Sequence, residues 1–158
     1  MNGRRKAFRL FMAAAPFLWI SAALGADVKV TGGTYAYLGG VSYDPLPNVR
    51  IRVIRSGSVF IRDPLSDNDG LFSFPIPPGK PFSLLFTGEK KVPEIQQLAS
   101  ASGMAQHVNV TLLTPEQYVE IYGIEALAAQ EARVLGALRD DPETRAEIRG
   151  QFERIRPR

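Results

Sequence analysis

Ser66-Asp67-Asn68-Asp69-Gly70-Leu71-Phe72-Ser73-Phe74-Pro75-Ile76-Pro77-Pro78-Gly79-Lys80-Pro81-Phe82-Ser83-Leu84-Leu85-Phe86 reads as turn, strand, turn, strand. Asn68-Asp69-Gly70 is turn chemistry, because glycine takes positive φ without a steric cost and Asn and Asp tolerate it. Phe72, Phe74 and Ile76 then alternate with smaller residues, so one face of a strand is apolar. Pro77-Pro78-Gly79 breaks that strand and reverses the chain. Phe82, Leu84 and Phe86 repeat the alternation. The expectation is a β-hairpin that gives six large apolar side chains to a core.

On the N-terminal side, Val49, Ile51 and Val53 alternate with Arg50 and Arg52, a half-buried strand with its arginines outward. Ser58 to Arg62 is a short strand after the Ser56-Gly57 turn. Val28 and Val30 start a first strand that is interrupted at Gly32-Gly33, and Tyr35 and Tyr37 resume the alternation. Val41 and Tyr43 fall in a loop between Gly39-Gly40 and Asp44-Pro45. On the C-terminal side, Gly88 to Met104 reads as loop with a helical turn near Glu94 to Ala99, and Val108, Val110 and Leu112 form the last strand. Seven short strands separated by turn signals predict an antiparallel sandwich.

The hydrophobic period changes at Thr114. Thr114-Pro115-Glu116-Gln117 is a capping box with proline at the first helical position. Ile121, Ile124, Ala128, Ala132, Leu135 and Leu138 recur at spacings of three and four and predict one amphipathic helix. Asp141-Pro142-Glu143 starts a second helix with Ile148, Phe152 and Ile155 on one side. The apolar stripe must be covered. Either it lies on the sandwich, or Ile121, Ile124, Leu135 and Leu138 face a partner helix or a second copy of the chain. The division is therefore 1–26 leader, 27–113 β-sandwich and 114–158 helical tail.

The leader is read from Arg4, Arg5, Lys6 and Arg9 followed by the apolar run Leu10 to Leu24 and the small residues Gly25 and Ala26. Its four basic residues face no acids, so the rest of the chain has 15 basic against 16 acidic residues, net −1. The alkaline balance of the whole chain belongs to the leader, and no basic nucleic-acid footprint is left. There are no cysteines, which excludes disulfides, thiolate chemistry and a lipid-modified cysteine. The expected compartment is periplasmic or extracellular.

Leu46-Pro47-Asn48-Val49 leading into Ile51 and Val53 forms one piece of a recognisable pattern. Ser66-Asp67 with Gly70-x-Phe72-x-Phe74, and Pro78-Gly79 with Phe82-x-Leu84, form two more. Together they resemble the carboxypeptidase regulatory-like domain, a prealbumin-type sandwich, over about residues 27–113. The resemblance implies seven antiparallel strands and a non-catalytic accessory or binding role, beside a catalytic domain or in the cell envelope. The two-helix tail departs from that pattern.

Candidate chemistry is sparse. His107 is the only histidine and alternates outward from the last strand, so neither a zinc site nor a hydrolytic triad is expected. Some transthyretin-like hydrolases share the architecture, but they use several histidines. Asp63, Asp67, Asn68 and Asp69 gather oxygen atoms beside Gly70, yet the bidentate Glu of a calcium loop is missing and turn formation accounts for them. No cofactor is expected. Tyr35, Tyr37 and Tyr43 are the candidate stacking residues for a glycan. The leading expectation is a non-catalytic module that binds or scaffolds an envelope protein or glycan; the alternative is a carbohydrate-binding module. Cleavage near Gly25 or Ala26 is expected, and the intact mass of the exported protein checks it; a mature chain beginning at Met1 would contradict it.

Overall fold

The computed structural model describes residues 26–98 and 105–157. The leader therefore lies outside the described residues, apart from Ala26. Eight strands form two four-stranded sheets, and three helices follow. The first sheet holds β1 (Val28–Gly39), β2 (Ser42–Pro45), β5 (Leu71–Ile76) and β8 (Gln106–Leu112). The second runs β4 (Ser58–Ile61), β3 (Arg50–Arg55), β6 (Phe82–Thr87), β7 (Glu94–Leu98). All pairings are antiparallel except β1 with β8, which is parallel.

The decisive stretch is not a hairpin. Strand β5 pairs with β1, whereas β6 pairs with β3 and β7, so Pro77 to Pro81 carries the chain from one sheet to the other. The apolar faces consequently meet across the sandwich: the rings of Phe72 and Phe86 lie 5.8 Å apart. Phe72, Phe74, Ile76, Phe82, Leu84 and Phe86 are all buried, with Val30, Ile51, Val53, Val108, Val110 and Leu112 around them. The turn before β5 is built as its residues suggest. Asp67 Oδ1 accepts from the backbone N–H groups of Asp69, at 2.9 Å, and Leu71, at 2.8 Å, while Gly70 sits at φ 72°.

The count of seven strands is corrected to eight for local reasons. β1 runs unbroken through Gly32-Gly33, because those positions have room for no side chain. A Cβ at Gly32 would collide with the Val108 carbonyl oxygen and stand 2.6 Å from Phe72 Cζ. Residues Ser42–Pro45, expected as loop, form β2 against Tyr35 to Gly39. Glu94–Leu98, expected as loop with a helical turn, is edge strand β7 against Phe82 to Phe86.

The tail contains three helices, not two: α1 (Pro115–Tyr122), α2 (Ile124–Ala137) and α3 (Pro142–Ile155). Thr114 Oγ1 accepts from Gln117 N–H, and Gln117 Oε1 accepts from Thr114 N–H at 2.9 Å, the capping box expected from the sequence. Gly123, at φ 91° and ψ 161°, ends α1 and turns the chain before α2.

The tail covers the outer face of the second sheet. Ile54, Leu85, Val92 and Ile95 pack against Leu127, Val134, Leu135, Leu138, Ile148 and Phe152 in a second core. Arg52 points away from the sandwich interior, as expected, but lies beneath α3 at 3% exposure with its guanidinium on Glu147, 2.5 Å away. Arg62 reaches Asp141 at 3.4 Å and Arg133 reaches Glu94 at 2.9 Å. Within the tail, Arg156 pairs with Glu131 at 2.7 Å.

Asp141 fixes the start of α3. It accepts from Thr144 N–H at 3.0 Å, Thr144 Oγ1 at 3.0 Å and Val59 N–H at 3.1 Å. Burial pushes its carboxyl pKa up, but these hydrogen bonds and Arg62 outweigh burial and hold it below the ordinary value. A lowered folded pKa gives stability that is present above the unfolded value of 3.8 and is lost as pH falls through the folded pKa.

Two outcomes are expected. Truncation after Leu113 returns Ile54, Leu85 and Ile95 of the second sheet and Val92 beside it to water, at about 1.5–3 kcal/mol each, and strips Arg52 of Glu147. Calorimetry should show loss of the cooperative melt or aggregation; a monomeric shortened sandwich with an unchanged melt would contradict this packing. Asp141→Ala should cost about 1–2 kcal/mol at neutral pH through the lost cap. It should also flatten the fall of melting temperature with acid below pH 3.8, an effect read by melts across a pH series.

Candidate functional site

None of the described helices lies on the outer face of the first sheet. Alternation along β1 places Lys29, Thr31, Gly33, Tyr35 and Tyr37 on it, because Val28 and Val30 point into the core. Tyr43 joins them as the cross-strand partner of Tyr37, with ring centroids 5.7 Å apart. Tyr35 lies over Gly33: a Cβ built there would stand 2.5 Å from the phenol oxygen, so the glycine makes room for the ring. The three tyrosines expected as stacking residues are thus brought together on one open surface. Tyr43 is 53% exposed and the other two are half-buried.

His107 shares this face and is exposed; its Nδ1 lies 3.1 Å from Thr31 Oγ1. Among the described residues no group of three or more His, Asp or Glu side chains gathers at metal-binding distance. Asp67 is committed to the turn before β5, as described above.

Ile121, Ile124, Leu135 and Leu138 do not form one stripe. Leu135 and Leu138 are buried against the second sheet, while Ile121 and Ile124 are 46% and 56% exposed. The break at Gly123 puts Ile121 in α1 and the others in or at the end of α2. The spacing of three and four spans the glycine and predicts one helix, where the chain forms two, α1 and α2.

A second site was not legible in the sequence. The edge strands β7 and β8, from opposite sheets, converge where Val92 N–H donates to Leu113 O at 2.9 Å. Between them opens a cleft of about 360 Å³, roofed by α1 and flanked by α2. Glu94, Gln96, Asn109, Thr111, Tyr118 and Tyr122 line it, with Arg133 at its side. Tyr118 and Tyr122, one helical turn apart, pack with centroids at 5.0 Å and ring planes tilted by 54°. Glu94 accepts from Arg133 at 2.9 Å and from Gln130 Nε2 at 3.0 Å. Burial raises the Glu94 pKa, and the Arg133 charge partly offsets it. Burial, helped by the Glu94 charge, likewise pushes the Tyr118 phenol up. Only the Tyr118–Tyr122 spacing is visible in the sequence; the other lining residues come from three further elements.

A larger hollow of about 480 Å³ lies beside the end of α2. Gly57, Pro81, Gly136 and Ala137 form part of its wall, with Ser56, Ser83, Gln97 and Arg139 at the rest.

No family model matches the chain, and no curated protein matches it significantly. Several solved structures are similar. The minor pilin GBS52 of Streptococcus agalactiae aligns at 10% identity and TM-score 0.45, covering 58% of this chain and 46% of the pilin. The TIE protein of Bacillus anthracis aligns at 8% identity and TM-score 0.44, covering 56% and 17% of the two chains. A candidate carbohydrate-binding protein of Pseudomonas aeruginosa aligns at 13% identity and TM-score 0.40, covering 56% and 90%. The chain thus spans less than half the length of the first two. At these identities and scores the likeness concerns the course of the β-sandwich and says nothing of function.

Proposed function

We propose that the protein is an exported, non-catalytic accessory module that binds another cell-envelope component through the open face of its first sheet. One observation carries this reading: the chain covers one sheet with its own helices and leaves the other open, with Tyr35, Tyr37 and Tyr43 gathered on it. Tyrosine serves such a surface well, since its ring supplies contact area at low entropic cost and its hydroxyl keeps the face wetted. The signal-peptide pattern, and the resemblance of about residues 27–113 to carboxypeptidase regulatory-like modules, support an envelope setting. Among the described residues no helix is long and apolar enough to cross a membrane.

A carbohydrate partner is the second reading, favoured by the cross-strand Tyr37–Tyr43 pair, which presents adjacent rings to solvent. Co-sedimentation with purified envelope polysaccharide and capture of detergent-solubilised envelope proteins test both readings together. The triple variant Tyr35→Ala, Tyr37→Ala, Tyr43→Ala is expected to keep its fold by circular dichroism and to lose the partner by about tenfold or more, since each stacked ring contributes roughly 0.5–1.5 kcal/mol. Undiminished binding by the folded variant would remove this face from the function.

A further inference from the structure

We propose that the cleft between the β7 and β8 edges is a binding site for a neutral polyhydroxylated ring, one or two sugar units in size, with Tyr122 as its stacking wall. The volume comes first. About 360 Å³ lies at the small end of the range for specific small-molecule pockets, too small for a folded partner and large enough for a ring or two.

The charge balance comes second. Glu94 and Arg133 are the ionisable acid and base at the wall, and they satisfy each other at 2.9 Å. The cleft is therefore strongly polar without a net charge. An anionic ligand would have to compete with Glu94 for Arg133, and a cationic one with Arg133 for Glu94. A neutral ligand competes with neither.

The remaining wall supplies what a sugar ring needs. Gln96 presents an amide, Asn109 presents the NH2 of an amide whose Oδ1 already accepts from Gly33 N–H at 3.0 Å, and Thr111 and Tyr118 present hydroxyls, a set that both donates to and accepts from vicinal hydroxyls. Tyr122 is 60% exposed and packed against Tyr118, so its orientation is set by a neighbour and its outer face is free. An aromatic face beside convergent polar groups accepts the C–H face of a pyranose while the amides hold its rim. Val92, Val110 and Leu113 close the floor. The site uses none of Tyr35, Tyr37 and Tyr43, although Asn109 and Thr111 reach it from the same sheet face.

The test titrates the full chain with glucose, galactose, N-acetylglucosamine, cellobiose and chitobiose, and with glucuronate as an anionic control, by calorimetry and by amide chemical shifts. The expected result is saturable binding of a neutral sugar with millimolar affinity, insensitive to salt, with shifts centred on Gln96, Asn109 and Tyr118. Tyr122→Ala, at an exposed position, and Gln96→Ala should each weaken it about fivefold to tenfold, and Tyr43→Ala should leave it unchanged. Absence of binding to every neutral sugar up to about 20 mM, or binding of glucuronate alone, overturns the proposal. Binding that survives both cleft substitutions but is lost on Tyr43→Ala places the sugar on the open sheet face and also overturns it, while supporting the reading of that face.

Discussion

Leu84 and Leu85 are neighbours in β6 and both are fully buried, which requires an apolar layer on each side of that strand. Successive side chains of a strand point to opposite faces, so a sandwich alone covers only Leu84. Leu85, with Ile54 and Ile95 beside it, needs a second cover, and α2 and α3 supply it through Leu138, Ile148 and Phe152. Each large side chain buried in this way stabilises the fold by about 1.5–3 kcal/mol. The helices are therefore part of the folding unit. The buried Arg52 makes the arrangement specific: α3 both covers it and supplies its partner Glu147, so a helix packed there without that carboxylate would leave a buried charge unpaired.

The same requirement determines where the protein meets its surroundings. The described helices lie on the second sheet and not on the first, whose outer face carries polar and aromatic side chains together with the half-exposed Leu71. That difference is written into the strands. Outward positions of β8 are His107, Asn109 and Thr111, which tolerate water, while those of β6 and β3 include Leu85 and Ile54, which do not.

Much of the core was legible because its signal is local. Alternating Phe72, Phe74 and Ile76, then Phe82, Leu84 and Phe86, named the buried residues, and the capping box at Thr114 located the first helix. Pairing was not legible. Two strands with one apolar face each fit a hairpin and an arch equally well, since both put the apolar sides together. The sequence did hold a clue in Pro77, Pro78 and Pro81, which lack the N–H groups that a ladder beside a tight turn would use. Consecutive apolar pairs, Val53-Ile54 and Leu84-Leu85, likewise mark strands buried on both faces and already implied that the tail would lie on this sheet. Strand β7 escaped notice because an edge strand bearing Glu94, Gln96 and Gln97 lacks the apolar alternation of an interior one.

The cleft follows from these packing demands and has no sequence signature of its own. α1 starts at Thr114, directly after β8, and the Leu113 carbonyl is held by Val92 on the opposite sheet. The helix must therefore begin at the seam where the two edges meet. It runs along that seam for two turns, presenting Tyr118 and Tyr122, until Gly123 redirects the chain so that α2 lies over the second sheet. Had the helix continued straight, as its apolar spacing suggested, Leu135 and Leu138 would not reach Leu85 and Arg133 would not reach Glu94. The glycine that completes the second core is thus the residue that brings a cation from α2 to the buried carboxylate of β7. The polar, charge-balanced wall of the cleft and the stability of the domain rest on one backbone conformation that side-chain-bearing residues rarely adopt.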